Sequence, residues 1–442
     1  MSSEKEDFAI PGLRTPSRLS GEKARVLSDW AWTTLGQLAA ATGFLAGIRL
    51  LTQYISPAIF GTVSLLTGAA ALVSATFFGP FIEAALRFYP DASRNGQAPL
   101  LKKIINSFLF MAYGSIVPFL AAAGFFLFTY KKNIGFLIVV MFLCALMVID
   151  TMKAKERNFL NAERKQKKLS AWLATDAWAR SLAAVAMVLV FGGSVWAVLA
   201  GYFAGSCMVL IHFRENAEYG RNCAFGTQSE KEKDLLTEIR RYALPMVPIA
   251  IVGWISSLGD RYIMGAMTGL EQVGIYSAAY GLVSRPFLMA GSVLEQTLRP
   301  VYFDAVSSGD KGRERKAFMA LLCTTIFFSL CFAAIISIFS REIAGLLLEK
   351  KYRASAGLMP WIALGYAFLV TSYVFEKICF AYKRTKAVSL VQTAGALASL
   401  CIGIPLIYYY GMRGAAIAVP VYFGIQLALS VIAAKKVLND AG

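Results

Sequence analysis

Histidine is nearly absent from this 442-residue sequence, with His212 as its single copy. Catalysis by imidazole and zinc chemistry both need histidine next to partner ligands or a nucleophile, so a lone copy at the end of an apolar run argues against both. The seven cysteines include no CxxC pair and, apart from Cys223, lie in apolar runs. We interpret them as small core residues, which excludes a disulfide or metal framework.

Recognisable catalytic motifs are missing as well. The sequence contains neither a GxSxG motif nor a Walker loop. A membrane-embedded glycan polymerase or ligase would carry a large outer loop with catalytic charges, whereas the longest outer loop expected here is about residues 341–357. We therefore expect no enzymatic activity and no cofactor.

Charge is scarce in this chain. Only 16% of the residues are charged, 57% are hydrophobic and the mean hydropathy is +0.57, whereas about a quarter of the residues in a typical soluble domain are charged. The apolar residues form long runs such as SFLFMAYGSIVPFLAAAGFFLF (107–128). Such runs are long enough to cross a bilayer as helices and lack the alternation of a barrel strand. The sequence predicts an all-α, polytopic membrane protein.

About twelve membrane-spanning helices are predicted, starting near Trp30, Pro57, Ile104, Ile134, Ser170, Val195, Tyr242, Val273, Phe318, Leu358, Val388 and Gly414. Most of the 44 lysines and arginines fall on one side of these spans, which places both termini in the cytoplasm by the positive-inside rule. The net charge of +17 is mostly this bias. It favours contact with membrane lipids and does not indicate a nucleic-acid partner.

The two halves of the chain resemble one another at an offset of about 212 residues. The matched pairs are Arg49 and Arg261, Gly61 and Gly274, Ser64 and Ser277, Gly68 and Gly281, Glu83 and Glu295, Arg87 and Arg299, and Tyr202 and Tyr422. Six spans per half give a parallel repeat, typical of transporters that rock two bundles around a cavity. We expect a cytoplasmic tail (1–29), a six-helix bundle (30–213), a cytoplasmic linker (214–241) and a second six-helix bundle (242–442).

Arginines inside the spans are the candidate binding residues, because a charge in the bilayer is costly and marks function. Arg180 and Arg285 lie near mid-span, whereas Arg49 and Arg261 lie in the outer third, where snorkelling to the interface is an equal alternative. Asp176 precedes Arg180 by four residues and is expected to pair with it. Arg285 has no acidic residue three or four positions away on either side, and it precedes Pro286.

Acidic residues in the spans are fewer and nearer the span ends than the deep arginines. Deep positive charge suits an anionic cargo, since guanidinium groups match phosphate oxygens in a bidentate way. If transport is coupled to an ion gradient, Asp176, Asp260 and Glu295 are the acids that we would suspect.

Three stretches of the sequence carry a resemblance to a known family: LTQYISPAIFGTVSLL, GDRYIMGAMTGLEQVGIYSAAYGL and YGMRGAAIAV. They resemble the polysaccharide transporter family, the Wzx-type flippases of the multidrug/oligosaccharidyl-lipid/polysaccharide exporter superfamily. The resemblance implies a bacterial inner-membrane flippase for an undecaprenyl-pyrophosphate-linked oligosaccharide, an O-antigen or exopolysaccharide repeat unit. It also implies that cavity arginines such as Arg49, Arg180, Arg261 and Arg285 meet the pyrophosphate, and that polysaccharide polymerase and chain-length proteins act as partners.

Two other transporters of this superfamily fit the same pattern of spans. A multidrug and toxin extrusion type antiporter would have a cationic drug as cargo, but the first span has no deep carboxylate. A peptidoglycan-precursor flippase usually has more than twelve spans. Both alternatives stay open at this point.

Overall fold

The computed structural model describes residues 16–131, 134–213 and 230–441, and all regular structure in them is helical. The first half contains α1 (Pro16–Tyr54), α2 (Pro57–Val73), a π-helical turn (Ser74–Phe78), α3 (Gly79–Arg94), α4 (Ala98–Lys131), α5 (Ile134–Ala162), α6 (Gln166–Phe191) and α7 (Val195–Phe213). The second half contains α8 (Glu230–Ala243), α9 (Met246–Met267), α10 (Leu270–Ser307), α11 (Lys311–Ile338), α12 (Ser340–Leu347), a 3-10 helix (Lys350–Gly357), α13 (Met359–Ala381) and α14 (Thr385–Ala441).

Local sequence explains where several of these helices begin and bend. The Ser56 side chain caps α2 by accepting a hydrogen bond from the backbone N–H of Ile59, and Pro57 occupies the first turn, where its missing N–H costs nothing. Asp310 caps α11 in the same way. Within α14, Gly411 has φ +58° and ψ −135°, a conformation that glycine adopts without strain, and it bends the helix into two parts.

The number of membrane crossings agrees with the sequence prediction. Ten stretches of the described helices are long and apolar enough to span a bilayer. The last of them has 56 residues and bends at Gly411, so it accounts for two crossings. The 38-residue α10 is also long enough, although it is more polar. The expectation of an all-helical membrane protein with about twelve spans is confirmed.

The repeat predicted from the sequence is visible where the two bundles touch. Ser64 donates a hydrogen bond to Ser277 across the contact between α2 and α10, with 3.1 Å between the hydroxyl oxygens. One turn away, a Cβ on Gly61 would meet the backbone of Gly274, and a Cβ on Gly274 would meet the backbone of Gly61. Residues that match in the repeat therefore face each other, as they do across a two-fold axis. The close approach requires glycine at both positions.

The two bundles are in contact at one end of the molecule. This end lies opposite to the start of α1 and the end of α14, and we call it the closed end. There, the 3-10 helix of the C-terminal bundle (α9–α14) lies over the start of α2 in the N-terminal bundle (α1–α7). The Tyr352 hydroxyl donates to the Ile55 carbonyl at 3.2 Å, and its ring packs edge-on against Phe60. Deeper in the contact, the Tyr262 hydroxyl donates to the Leu65 carbonyl at 2.6 Å.

Part of the expected linker is helical. The amphipathic α8 overlaps the expected linker (214–241) and buries Ile239 and Ala243 against α3 and α4. Residues 1–15 of the expected tail and 214–229 of the linker lie outside the described residues.

Candidate functional site

Arg285 lies where α1 of one bundle meets α10 of the other. Its guanidinium carbon is 4.1 Å from the centre of the Phe44 ring, and its side chain is exposed. One turn nearer the closed end, a Cβ on Gly281 would be 3.4 Å from Phe44, so the two helices touch there. Because the Arg285 side chain is exposed, it borders accessible space beside the contact between α1 and α10, and we call this space the gap.

The Arg285 charge forms no ion pair or hydrogen bond with any residue in the described ranges. A guanidinium over an aromatic face gains about 0.5–2 kcal/mol, more as water is excluded. That contact holds the side chain in place but leaves its five N–H donors available. Among the four predicted arginines, this one is the best placed to receive an anionic group.

Arg49 has a different environment, at the closed end. Its guanidinium donates to the Leu348 carbonyl at 3.0 Å, which ties α1 to the segment between α12 and the 3-10 helix. Lys351 adds a hydrogen bond to the Gln53 carbonyl at 3.3 Å. These contacts join the two bundles, so Arg49 helps to close this end of the molecule.

Arg261, the repeat partner of Arg49, is buried inside the C-terminal bundle. Its guanidinium carbon lies 4.6 Å from the centre of the Tyr280 ring. The neighbouring Asp260 accepts hydrogen bonds from the Tyr276 hydroxyl and from the backbone N–H of Arg261. Tyr280 packs in turn against Tyr366 with 5.4 Å between the ring centres. Asp260 and Arg261 thus belong to a buried cluster rich in tyrosine.

Arg180 and Asp176 do not pair with each other, contrary to the sequence prediction. Arg180 contacts the Asp150 carboxylate at 3.0 Å, and Asp176 contacts the Lys153 ammonium at 2.6 Å. Lys153, with a side chain only 1% exposed, also reaches Asp150 at 3.0 Å and Ser206 at 2.9 Å. The reason is packing: Lys153 on α5 points into the bundle between α6 and α7 and competes for both carboxylates.

Lys153 is therefore a buried charge that the sequence reasoning missed. In the sequence it begins the basic run KAKERNFLNAERKQKK, which is typical of a cytoplasmic loop. Its spacing of three residues from Asp150 was the signal that could have identified it, since such residues lie on the same helical face.

Glu295 lies in the C-terminal bundle at the side of a cavity of about 170 Å³. Its carboxylate contacts the Lys377 ammonium at 2.5 Å and the Arg299 guanidinium at 3.0 Å. The side chain of Lys377 is only 14% exposed and is held in this ion pair.

The seven predicted site residues thus occupy five places. Only Arg285 borders the gap between α1 and α10, while Arg49 lies at the closed end. Asp260 and Arg261 are in the tyrosine cluster, and Glu295 is in its own ion pair. Arg180 and Asp176 belong to the charge network of the N-terminal bundle. The structure does not bring the four arginines together around one ligand.

Several solved structures share this architecture. "Lipid II flippase MurJ, inward closed conformation" matches with a TM-score of 0.71 at 14% identity, covering 91% of this chain and 87% of that one. A MATE family multidrug resistance transporter of the MOP superfamily matches in its inward-facing conformation, with a TM-score of 0.67, 12% identity and coverage of 93% and 97%. Its outward-facing counterpart has a TM-score of 0.66, 10% identity and coverage of 93% and 95%. At these identities the likeness shows the fold alone.

Sequence comparisons give a family assignment. None of the curated proteins matches this chain. The model of one family, Polysacc_synt, described as polysaccharide biosynthesis protein, matches residues 26–306, which include most of α1, all of α2 to α9 and nearly all of α10. The chain belongs to this polysaccharide biosynthesis protein family.

Proposed function

We propose that the protein is a flippase for an undecaprenyl-pyrophosphate-linked oligosaccharide. It would move this O-antigen or exopolysaccharide repeat unit from the cytoplasmic to the periplasmic leaflet of a bacterial inner membrane. The observation that carries the proposal is the exposed Arg285, which borders the gap between the bundles without an acidic partner among the described residues. Family membership supports a polysaccharide-related cargo, and a solved structure of the same fold is titled as a lipid flippase.

The gap between α1 and α10 suits a lipid-linked cargo. A flippase must surround the polar glycan and diphosphate while the polyprenyl tail stays in the hydrocarbon, so it needs a cavity that opens sideways between helices. Arg285 lies at such an opening, where a guanidinium can hold a diphosphate by two parallel hydrogen bonds. Rocking of the two bundles about the contact at Ser64 and Ser277 would then expose the cavity to the other side.

Ion coupling is the second part of the proposal. Glu295 and Asp176 both contact a lysine ammonium directly. The Asp260 carboxylate is held by hydrogen bonds from the Tyr276 hydroxyl and a backbone N–H. Of the three acids, only Asp260 has no contact with a lysine ammonium among the described residues. We therefore favour Asp260 as the coupling acid. In the proposed orientation both termini are in the cytoplasm. A polymerase and chain-length proteins would receive the product.

The first experiment measures transport in cells that lack the gene. Polyprenyl-linked oligosaccharide on each leaflet and surface polysaccharide would be quantified with the intact gene, with Arg285→Ala and with Arg285→Lys. We expect Arg285→Ala to lower the rate at least tenfold at normal membrane abundance. Arg285→Lys should restore part of the rate. Lysine keeps the positive charge but lacks the planar guanidinium that makes two parallel hydrogen bonds.

Arg313→Ala is the matched control. Arg313 is an exposed arginine outside the gap that pairs with Asp304 at 3.0 Å, so its removal should leave transport unchanged. Equal loss of abundance in both Arg285 variants would show a structural role instead. Normal glycan in the deletion strain, together with altered sensitivity to cationic drugs, would replace the flippase proposal with the antiporter alternative.

A further inference from the structure

A cavity of about 470 Å³ lies inside the N-terminal bundle. Its walls come from α2, the π-helical turn, α3 and α5, with Arg180 contributed by α6. The polar side chains on these walls are Thr67, Ser74, Glu83, Asp150, Thr151, Arg157, Asn158 and Arg180. This volume is within the usual range for small-molecule sites.

The cavity is separate from the gap beside Arg285. On α2, Gly61 and Ser64 face the C-terminal bundle, whereas Thr67 and Ser74 line the cavity. At 100° per residue, the mean directions of these two sets differ by about 100° around the helix. All of the described residues that line the cavity belong to the N-terminal bundle, and Arg285 is not among them.

The charges around the cavity leave one guanidinium without a direct partner. Asp150 accepts from Arg180 and Lys153, and Asp176 accepts from Lys153. Within the described part of the chain, Arg157 makes no hydrogen bond and no ion pair. It lies seven residues after Asp150 on α5, on the same helical face, and borders the same cavity.

A second acid on the cavity wall makes no ion pair with Arg157 among the described residues. Glu83 also lines the cavity, but its carboxylate accepts from the Asn158 amide at 3.3 Å. Arg157 and Arg180 thus border one water-accessible space, together with the Ser74 hydroxyl. The arrangement supplies hydrogen-bond donors on several walls, which is what an oxyanion requires.

In the C-terminal bundle, an ion pair occupies the position that corresponds to Arg157 and Glu83. At the offset of Tyr202 and Tyr422, Arg157 corresponds to Lys377, and Glu83 corresponds to Glu295. In the C-terminal bundle these two side chains pair at 2.5 Å beside a cavity of only about 170 Å³. In the N-terminal bundle the equivalent pair is apart and the space is larger.

The π-helical turn adds an independent reason to assign a site here. Between Gly68 and Glu83 the N-terminal half has one residue more than the C-terminal half between Gly281 and Glu295. The turn Ser74–Phe78 accommodates that residue, and Ser74, Ala75 and Phe78 line the cavity. Isolated π turns occur frequently at functional sites, where the extra residue re-aims side chains.

We propose that this cavity binds a phosphate group, with Arg157 as its principal ligand and Arg180 and the Ser74 hydroxyl as further donors. The phosphate belongs either to a soluble phosphate ester or to the headgroup of an anionic lipid. The proposal goes beyond the flippase function and does not depend on it, because the gap beside Arg285 contributes no residue to this site.

The test uses the purified full-length protein in neutral detergent and in lipid nanodiscs. Glycerol 1-phosphate, titrated calorimetrically, probes the soluble source, and nanodiscs containing phosphatidylglycerol in place of phosphatidylcholine probe the lipid source by thermal stabilisation. We expect at least one probe to bind. Arg157→Ala should weaken that binding at least tenfold, and Arg157→Lys should recover part of it.

Two further variants test whether the phosphate binds inside this cavity. Ala71 lines the cavity, so Ala71→Phe should block binding by filling it while keeping every charge. Arg87→Ala serves as the control, since Arg87 is on α3 outside the cavity, with a side chain 60% exposed and paired with Asp91.

Three results would overturn the proposal. The first is that neither probe binds the wild-type protein. The second is binding that persists in both Arg157→Ala and Ala71→Phe. The third is binding lost in Arg285→Ala but kept in Arg157→Ala, which would place the phosphate in the gap between the bundles. Because the Arg285 transport assay is separate, failure here leaves the flippase proposal standing.

Discussion

The two bundles share a topology, but the polar groups in their interiors differ in kind. The N-terminal bundle contains full charges, with Lys153 buried between Asp150 and Asp176. In the C-terminal bundle, hydroxyls and amides surround two of the acids: Asp260 accepts from Tyr276, and Glu376 accepts from Gln392 at 3.1 Å and Gln426 at 3.4 Å, whereas Glu295 is paired with Lys377. The repeat therefore conserves helix packing, while the buried polar groups differ between its copies.

This difference has an energetic consequence. A buried charge is tolerated only with an opposite charge and further hydrogen bonds, so removing one partner is expensive. A network of neutral donors tolerates the loss of one member better, because the remaining groups are less costly to desolvate. We therefore expect the N-terminal bundle to be the more sensitive to substitution of single polar residues.

The largest effect is expected for Lys153→Met. The change leaves Asp176 buried without its cation, and losses of this kind cost about 3–5 kcal/mol of unfolding free energy. The measurement is the midpoint of thermal unfolding in detergent. Lys155→Met is the matched control, since Lys155 is two residues away with a side chain 15% exposed and paired with Glu156. The double variant Lys153→Met/Asp176→Asn should recover most of the loss; a shift equal to that of the control would contradict a buried charge network.

A smaller effect is expected for Gly274→Val at the contact that the bundles share. The new Cβ would meet the Pro57 carbonyl, so α2 and α10 must separate, and overpacking of this kind costs about 1–3 kcal/mol. Unfolding and transport should both be impaired. On the same helix, Gly291→Ala places a Cβ 3.8 Å from Val370 and should be neutral. Full transport by Gly274→Val would show that the close helix contact is dispensable.

The smallest effect is expected for Lys377→Met in the C-terminal bundle. Its partner Glu295 is 39% exposed and keeps Arg299 at 3.0 Å, so the cost should stay below about 1 kcal/mol. The midpoint of unfolding, compared with that of Lys153→Met, measures the contrast between the bundles directly. Equal losses for the two lysines would remove that contrast.

The span count and the repeat followed from the sequence because they depend on local properties. Twenty apolar residues form a membrane helix wherever they occur, and matched glycines and serines such as Ser64 and Ser277 mark the repeat without any knowledge of packing. The charge partners did not follow in the same way. Asp176 has Arg180 four residues away, yet it pairs with Lys153, 23 residues distant along the chain.

What the sequence by itself determined is therefore the all-helical membrane architecture, the parallel repeat and the family. Each rests on hydropathy, length and short-range pattern, which are encoded residue by residue. Only the tertiary structure decided that Arg285 borders the gap between the bundles, that Arg49 joins the closed end and that Arg157 borders a cavity. These outcomes depend on which helices become neighbours, and a buried charge selects its partner by distance in space and not along the chain.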